Sequence, residues 1–449
     1  MDQSSSRLRI RAGAKLFARR AVLALALKVL WAVLNYLGVL FLARWLSGQD
    51  YGQYAFVMSL IVFLAVIGQL GTRTVIIRFV GQYNAEQRPD LIKGLIGYSE
   101  KAVAIATAGI CAVTAGIAVA ASGMGWIGSP WPVVFGLLIL PAFTLSETYS
   151  GIARAYQKIA LSLVPRDIYW RGALIPIGFG VTALFAPAQR LSALLLSSAA
   201  ALSLLVLWQR LETWKQVPGD VRRSAAATSP REWRDVAWPV LLAGAATALL
   251  RTLDVLVLGV LLPAETVGWY FAASRTAALV GFVLASTNLV IGPEISQLYF
   301  SGERKSLELV LKVGAVLVSV PAMIAFLLCV FAGDRILSAF GPEFVAMRSE
   351  LVILAFGQVV NAAAGNVGVV MNMTGHHRKS TEILLTTSVA FAAITAVLAI
   401  LFGTMGAAIG ASAGLAAWNI RLWLASRRLV GLDPSIIGVF AMPSTRRHP

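Results

Sequence analysis

Six cations stand inside long apolar stretches of this chain: Lys28, Arg73, Lys101, Arg171, Arg251 and Arg275. A charge at the centre of a membrane helix costs about 2.5–3.5 kcal/mol on insertion scales, so each must meet protein, water or an anion. Arg251 is the deepest, and Asp254 lies three residues on, on the same helical face. The spacing admits two readings: a structural ion pair, or a cavity pair in which Asp254 serves as counter-ion or coupling group. Lys28 either snorkels to the headgroups or lines the same cavity, and Lys101 reads as a snorkeller. Gln69 and Arg73 are four apart and share a face, while Arg171 and Arg275 are intermediate cases. Carboxylates are fewer, with Asp254 deep and Glu100, Glu147, Asp167 and Glu294 nearer the ends of their stretches. The intramembrane field therefore has a positive excess. A cavity so lined favours an anion, and on a membrane lipid a diphosphate is the anion that fits. The candidate anion-binding set is Arg251, Lys28, Arg73 and Arg275.

Uncharged polar residues form a second set. Gln358, Asn361, Gly365 and Asn372 follow one another at spacings of three, four and seven, which places them on one helix face. Such a stripe bonds sugar hydroxyls or neighbouring helices. Gln358 and Asn361, with Asn35 in the first apolar stretch, are the candidate glycan contacts. Gly406, Gly410 and Gly414 make a small-residue ridge that close helix packing explains. His376 and His377 are adjacent and make a poor metal pair, and Cys111 and Cys329 sit apart in apolar runs. No metal site, disulfide or cofactor is expected.

The elements that must position these groups are set by composition. Of 449 residues, 58% are hydrophobic and 13% charged, with a mean hydropathy of +0.77. Soluble domains carry about 25% charged residues, so an ordinary soluble protein is excluded. Twelve apolar segments can be marked, at about 21–43, 53–77, 96–121, 132–151, 160–185, 191–209, 237–261, 267–293, 307–331, 350–373, 382–402 and 405–425. Each spans about 30 Å of hydrocarbon as a helix. The first has an apolar core too long for a cleaved signal peptide.

Charge placement orients them. With the N-terminus inside, the inner segments hold 28 cations and the outer loops four, Arg44, Arg190, Arg335 and Arg348. That asymmetry predicts cytoplasmic termini. It also accounts for the net charge of +17 without nucleic acid, with anionic lipid headgroups as counter-charge. Trp45, Tyr51, Tyr54, Trp126, Trp131, Trp269 and Tyr270 fall at outer span ends, and Trp233 and Trp238 at an inner one, as an interfacial aromatic belt would.

The halves are similar. At an offset of 216, Leu37, Val39, Leu40, Leu42, Leu46, Gly52 and Tyr54 match Leu253, Val255, Leu256, Leu258, Leu262, Gly268 and Tyr270. Six spans separate them, so the repeat is parallel, and such transporters bind substrate between repeats. The expected organisation is a basic segment 1–20, a six-helix bundle 21–209, a polar linker 210–236, a second bundle 237–425 and a tail 426–449. The basic segment reads either as an amphipathic surface helix or as a plain topology signal. No G-x-x-x-x-G-K-[ST] loop and no segment able to house a nucleotide-binding domain occurs, so direct ATP-driven transport is not expected.

The stretch LARWLSGQDYGQYAFVMSLIVFLAVIGQLGTRTVIIRFV resembles the opening of bacterial polysaccharide transporters, the O-antigen and exopolysaccharide flippases of the multidrug/oligosaccharidyl-lipid/polysaccharide (MOP) superfamily. Its matching features are Ala43-Arg44, Gly52 with Tyr54, and Gly71 followed by Arg73 and Arg78. LLRTLDVLVLGVLLPAETVGWYFAASR, MNMTGHHRK and FGTMGAAIGAS resemble later parts of the same family. The resemblance implies an all-α, V-shaped, MATE-like pair of six-helix bundles around a cationic cavity. It implies a non-enzymatic flippase of the bacterial inner membrane that moves undecaprenyl-diphosphate-linked oligosaccharide outward by alternating access. Arg251, Lys28 and Arg73 would hold the diphosphate, and a polysaccharide polymerase would be a partner. Two other classes compete. A cation-coupled drug exporter should have carboxylates dominating its cavity. A membrane glycosyltransferase or polymerase usually needs a sizeable extramembrane loop or a catalytic carboxylate motif.

Overall fold

The computed structural model describes residues 3–125 and 128–440. Trp126, His448, Arg446 and Arg447 lie outside the described residues, as do the side chains of the basic segment 1–20. Among the described residues the regular structure is helical, with no strand. In hydrocarbon a backbone must satisfy its own hydrogen bonds, and the helix does so within one segment.

The chain divides into two units. Unit one comprises Met1–Asp50 and Val57–Ala245. Its main helices are α1 (Gln3–Trp45), α2 (Gly48–Gly68), α3 (Thr72–Ala85), α4 (Pro89–Gly123), α5 (Trp131–Leu137) and α6 (Ile139–Ala155). They continue with α7 (Ile159–Leu163), a π-helical turn (Val164–Trp170), α8 (Arg171–Leu184), α9 (Arg190–Gln216), α10 (Gly219–Arg223) and the first half of α11 (Pro230–Leu261). Helix α6 is central, packed on α3, α4 and α9, and α1 packs on α8.

Unit two comprises Tyr51–Phe56 and Ala246–Pro449. It holds α12 (Ala264–Ala278), α13 (Phe282–Phe300), α14 (Arg304–Ser338), α15 (Arg348–Ala363), α16 (Val367–Met373), α17 (His377–Leu429) and α18 (Ile436–Phe440). Helix α15 is central here, against α12, α14 and α17.

Eight helices are long and apolar enough to cross a membrane, or up to ten if each of two bent pairs is one span, against the twelve expected. The shortfall lies at two places. Ile159–Leu184 is divided by the π-turn into short helices. Helix α17 has 53 residues, about 80 Å if straight, but Gly403 inside it is non-helical (φ 59, ψ −134). A Cβ on Gly410 would meet Thr395, and one on Gly414 would meet Phe391. Those contacts exist only if the helix folds back on itself, so α17 is an antiparallel hairpin turning at Gly403. The glycine ridge is the packing face of that hairpin.

Three further expectations change. Gly365 (φ 70) breaks the tenth segment into α15 and α16, bent by 40°. The polar stripe therefore does not run along one helix, and Asn372 is exposed. Of the proposed aromatic belt, Tyr51, Tyr54, Tyr270 and Trp233 are buried and belong to the core. Residues 210–236 are not free chain. Helix α9 runs on to Gln216, Val217 and Val221 are buried, and Lys93 donates to the carbonyls of Arg222 (2.9 Å) and Ser224 (2.6 Å). Trp233 Nε1 donates to Tyr83 Oη (2.9 Å), and the Tyr83 hydroxyl donates to Glu232 (3.1 Å).

Candidate functional site

The densest charge cluster is in unit one, and local backbone breaks build it. Between α2 and α3, Leu70 and Gly71 both have positive φ. A β-carbon at Gly71 would press on the carbonyl of Ala237, at 2.7 Å. The break puts Arg73 in the first turn of α3. Gly151 on α6 then lets α3 approach: its missing Cβ would lie 3.1 Å from Arg73 Cα. Glu147 is one turn before Gly151 on the same face. Arg73 Nη1 consequently reaches Glu147 Oε2 at 2.7 Å.

The second break is the π-turn. Wider turns of this kind re-aim side chains and are frequent at functional sites. Here Pro165 leads into Arg166 and Asp167. Arg166 donates to Glu147 from Nη1 and to Asp167 from Nη2, the latter at 2.9 Å. Asp167 also takes Lys28 Nζ at 3.5 Å. The Arg166 guanidinium lies over Phe143, 4.9 Å from its centroid, and Phe143 meets the buried Trp170 edge-on. Arg154 donates to Ser162 (3.0 Å), whose hydroxyl shares a 2.6 Å hydrogen bond with Ser150.

The result is a ladder, Lys28–Asp167–Arg166–Glu147–Arg73, with Arg154 beside it. Two carboxylates are shared among three cations, an excess of one positive charge that Arg154, bonded to Ser162, raises to two. A cavity of about 330 Å³ opens at its end, lined by Gln69, Arg73, Thr74, Arg154 and apolar residues of α2 and α11. Arg73 keeps 28% of its side-chain surface and Lys28 32%, so both remain open to an incoming anion. Buried ions of this kind are tolerated only when paired and hydrogen-bonded.

Unit two is built differently. Asp254 is buried and accepts the Tyr270 hydroxyl (2.9 Å) and the Val255 amide (2.9 Å). Among the described residues Arg251 makes no ion pair, and it is exposed. The structural Arg251–Asp254 ion pair, one of the two readings of that spacing, does not form among the described residues. A spacing of three leaves about 60° between side chains, and Tyr270 draws the carboxylate into the core. The cation that acts on Asp254 is Arg275, which stacks over Phe271 at 4.6 Å. Gln358 and Asn361 bond each other at 3.4 Å, and Gly281 makes room for the Gln358 amide. Asn35 is half-buried on α1.

Of the sequence-predicted residues, Lys28 and Arg73 meet in one network. Arg251, Arg275, Asp254, Gln358 and Asn361 lie in the other unit. Arg154, Arg166, Glu147 and Asp167 were not singled out as a site. The first two read as topology charges at the basic ends of spans. Their signal is the run Pro165-Arg166-Asp167 opening an apolar segment. Among the described residues no group of three or more His, Cys, Asp or Glu could hold a metal ion.

Two solved transporters share this fold. An inward-facing multidrug resistance MATE family transporter of the MOP superfamily superposes with TM-score 0.67 at 14% identity, over 92% of this chain and 98% of that one. The lipid II flippase MurJ in an inward closed conformation gives 0.69 at 11%, over 90% and 87%. The fold is therefore the one these two transporters share, and the long apolar helices make the chain a multi-pass membrane protein. A family model described as polysaccharide biosynthesis protein matches residues 17–299, more than half the chain. The chain belongs to that family. A curated relative from Haloferax volcanii, "Probable low-salt glycan biosynthesis flippase Agl15", is 21% identical over 411 residues, covering 89% of this chain and 81% of the relative.

Proposed function

We propose that this transporter flips undecaprenyl-diphosphate-linked oligosaccharide across the bacterial inner membrane for cell-surface polysaccharide synthesis, as O-antigen or exopolysaccharide, by alternating access. The observation that carries this reading is the ladder in unit one. With Arg154 beside it, its excess of two positive charges matches the two negative charges of a diphosphate diester. Arginine suits such a ligand because its planar fork binds phosphate oxygens in pairs. Lys28 and Arg73 are the accessible ends of the ladder and take the diphosphate, with Arg154 at the same cavity. Arg251 and Arg275 supply further positive charge, Asp254 holds Arg275 as counter-ion, and Gln358, Asn361 and Asn35 offer amides to sugar hydroxyls. The excess of basic residues in alternate loops supports cytoplasmic termini, and a polymerase that consumes the flipped unit is the natural partner.

The test is the surface polysaccharide and lipid-linked intermediates of a strain lacking the protein. Loss of polymer, with polyprenyl-diphosphate-oligosaccharide accumulating on the cytoplasmic face, is expected. Unchanged polymer with altered sensitivity to small cationic drugs would overturn this reading in favour of an exporter.

A further inference from the structure

A second cavity of about 580 Å³ opens on unit one, away from the residues that line the first. Its floor is α7, through Ile159, Ala160 and Leu161, and its walls are Leu23 of α1, Val164 and Tyr169 of the π-turn and Trp208 of α9. Lys158, Gln157, Glu212 and Gln216 rim it. Tyr169 and Trp208 are about half exposed, with ring centroids 6.2 Å apart. Amphipathic rings in that setting mark the headgroup level of a bilayer.

The rim has a particular charge. Glu212 is engaged by Lys215 at 2.6 Å. Lys158 is exposed and makes no ion pair among the described residues. The cavity thus offers an apolar bed with one uncompensated cation at its mouth. One positive charge suits one phosphodiester, whereas the diphosphate of the proposed substrate suits the ladder. Among the described lining residues Glu212 is the one carboxylate, and Lys215 neutralises its charge, so the rim favours an anionic over a zwitterionic headgroup.

We propose that this groove binds one anionic phospholipid of the surrounding membrane, its phosphate on Lys158 and an acyl chain against Ile159, Leu161, Val164 and Trp208. The bound lipid acts as a structural cofactor of the charge ladder. The floor of the groove is bonded to the helices around the ladder: Ser162 of α7 accepts Arg154 of α6, and Leu161 O takes Gln209 Nε2 of α9 at 3.1 Å, whose Oε1 accepts Ser146 of α6. Val164 opens the π-turn that carries Arg166. A chain seated on α7 therefore steadies the residues that present Arg154 and Arg166. This inference rests on the membrane location of the protein and not on the identity of its substrate.

The experiment uses the full chain in nanodiscs of phosphatidylcholine with a minor fraction of phosphatidylglycerol, and native mass spectrometry to count retained lipid. The intact protein should retain one phosphatidylglycerol. Lys158→Ala should lower retention about fivefold, the worth of one surface cation on an anionic lipid. Ala160→Trp, which fills the groove and keeps Lys158, should lower it as well. Lys101→Ala, an exposed lysine on α4, should leave it unchanged. Equal retention in the intact protein and Lys158→Ala overturns the proposal, as does equal retention of phosphatidylcholine. Recovery of a polyprenyl-diphosphate lipid in place of phospholipid also overturns it and makes the groove part of the transport path. If Ala160→Trp fails to fold, Lys158→Glu carries the same test from an exposed position.

Discussion

The two units handle intramembrane charge in opposite ways. In unit one, Glu147 and Asp167 are each shared between cations, so every charge depends on its neighbour and the whole has a positive excess. In unit two, Asp254 is closed off by a tyrosine hydroxyl and a backbone amide, and Arg275 lies against a phenyl ring. The first arrangement can exchange an internal carboxylate for an incoming anion. The second is satisfied as it stands. The contrast is the more telling because both halves of the sequence carry the Gly-x-Tyr repeat, at Gly52/Tyr54 and Gly268/Tyr270. In the second copy the tyrosine serves a carboxylate, and position 38, the counterpart of Asp254, is a glycine.

The comparison can be broken by substitution. The largest effect is expected for Glu147→Ala. It leaves Arg73 and Arg166 without their shared partner, and orphaning a buried ion costs about 3–5 kcal/mol. Membrane abundance and melting temperature should fall together, and a normal melting curve would show that the ladder is not structural. Next comes Tyr270→Phe, which strips a hydrogen bond from a buried carboxylate at about 2 kcal/mol. Its melting temperature should drop, with transport per molecule preserved. Arg166→Lys should cost less stability but more transport, since a lysine cannot bridge both carboxylates from one planar fork. Export assayed at matched abundance separates the two. The smallest change in stability belongs to Arg251→Ala, which has no ion pair to lose. Export should nevertheless fail, and normal export at normal abundance would remove Arg251 from the site.

Much of this was readable in the residues. Apolar runs and basic ends located the helices, and depth within a run singled out Lys28 and Arg73. Spacing failed where the backbone leaves the α-helix. The π-turn puts Arg166 and Asp167 in the ladder, although position alone reads Arg166 as a topology charge and Asp167 as a carboxylate near a span end. The Gly365 break splits a stripe that a regular helix would align. The Arg251–Asp254 pair failed for another reason. Helical spacing limits which residues can meet, but Tyr270, sixteen residues away, decides where the carboxylate turns. A cross-helix competitor of that kind leaves no periodic trace.

The docked segment after α9 bears on how the protein can be dissected. Lys93, Tyr83 and Gly94 all hold residues beyond 216, and Gly94 has no room for a Cβ because the carbonyl of Ala227 occupies that space. A half-molecule stopped at residue 209 would bare that seam. Co-expressed fragments should reassemble better when the cut falls near Ala245, because the first fragment then carries its own cover.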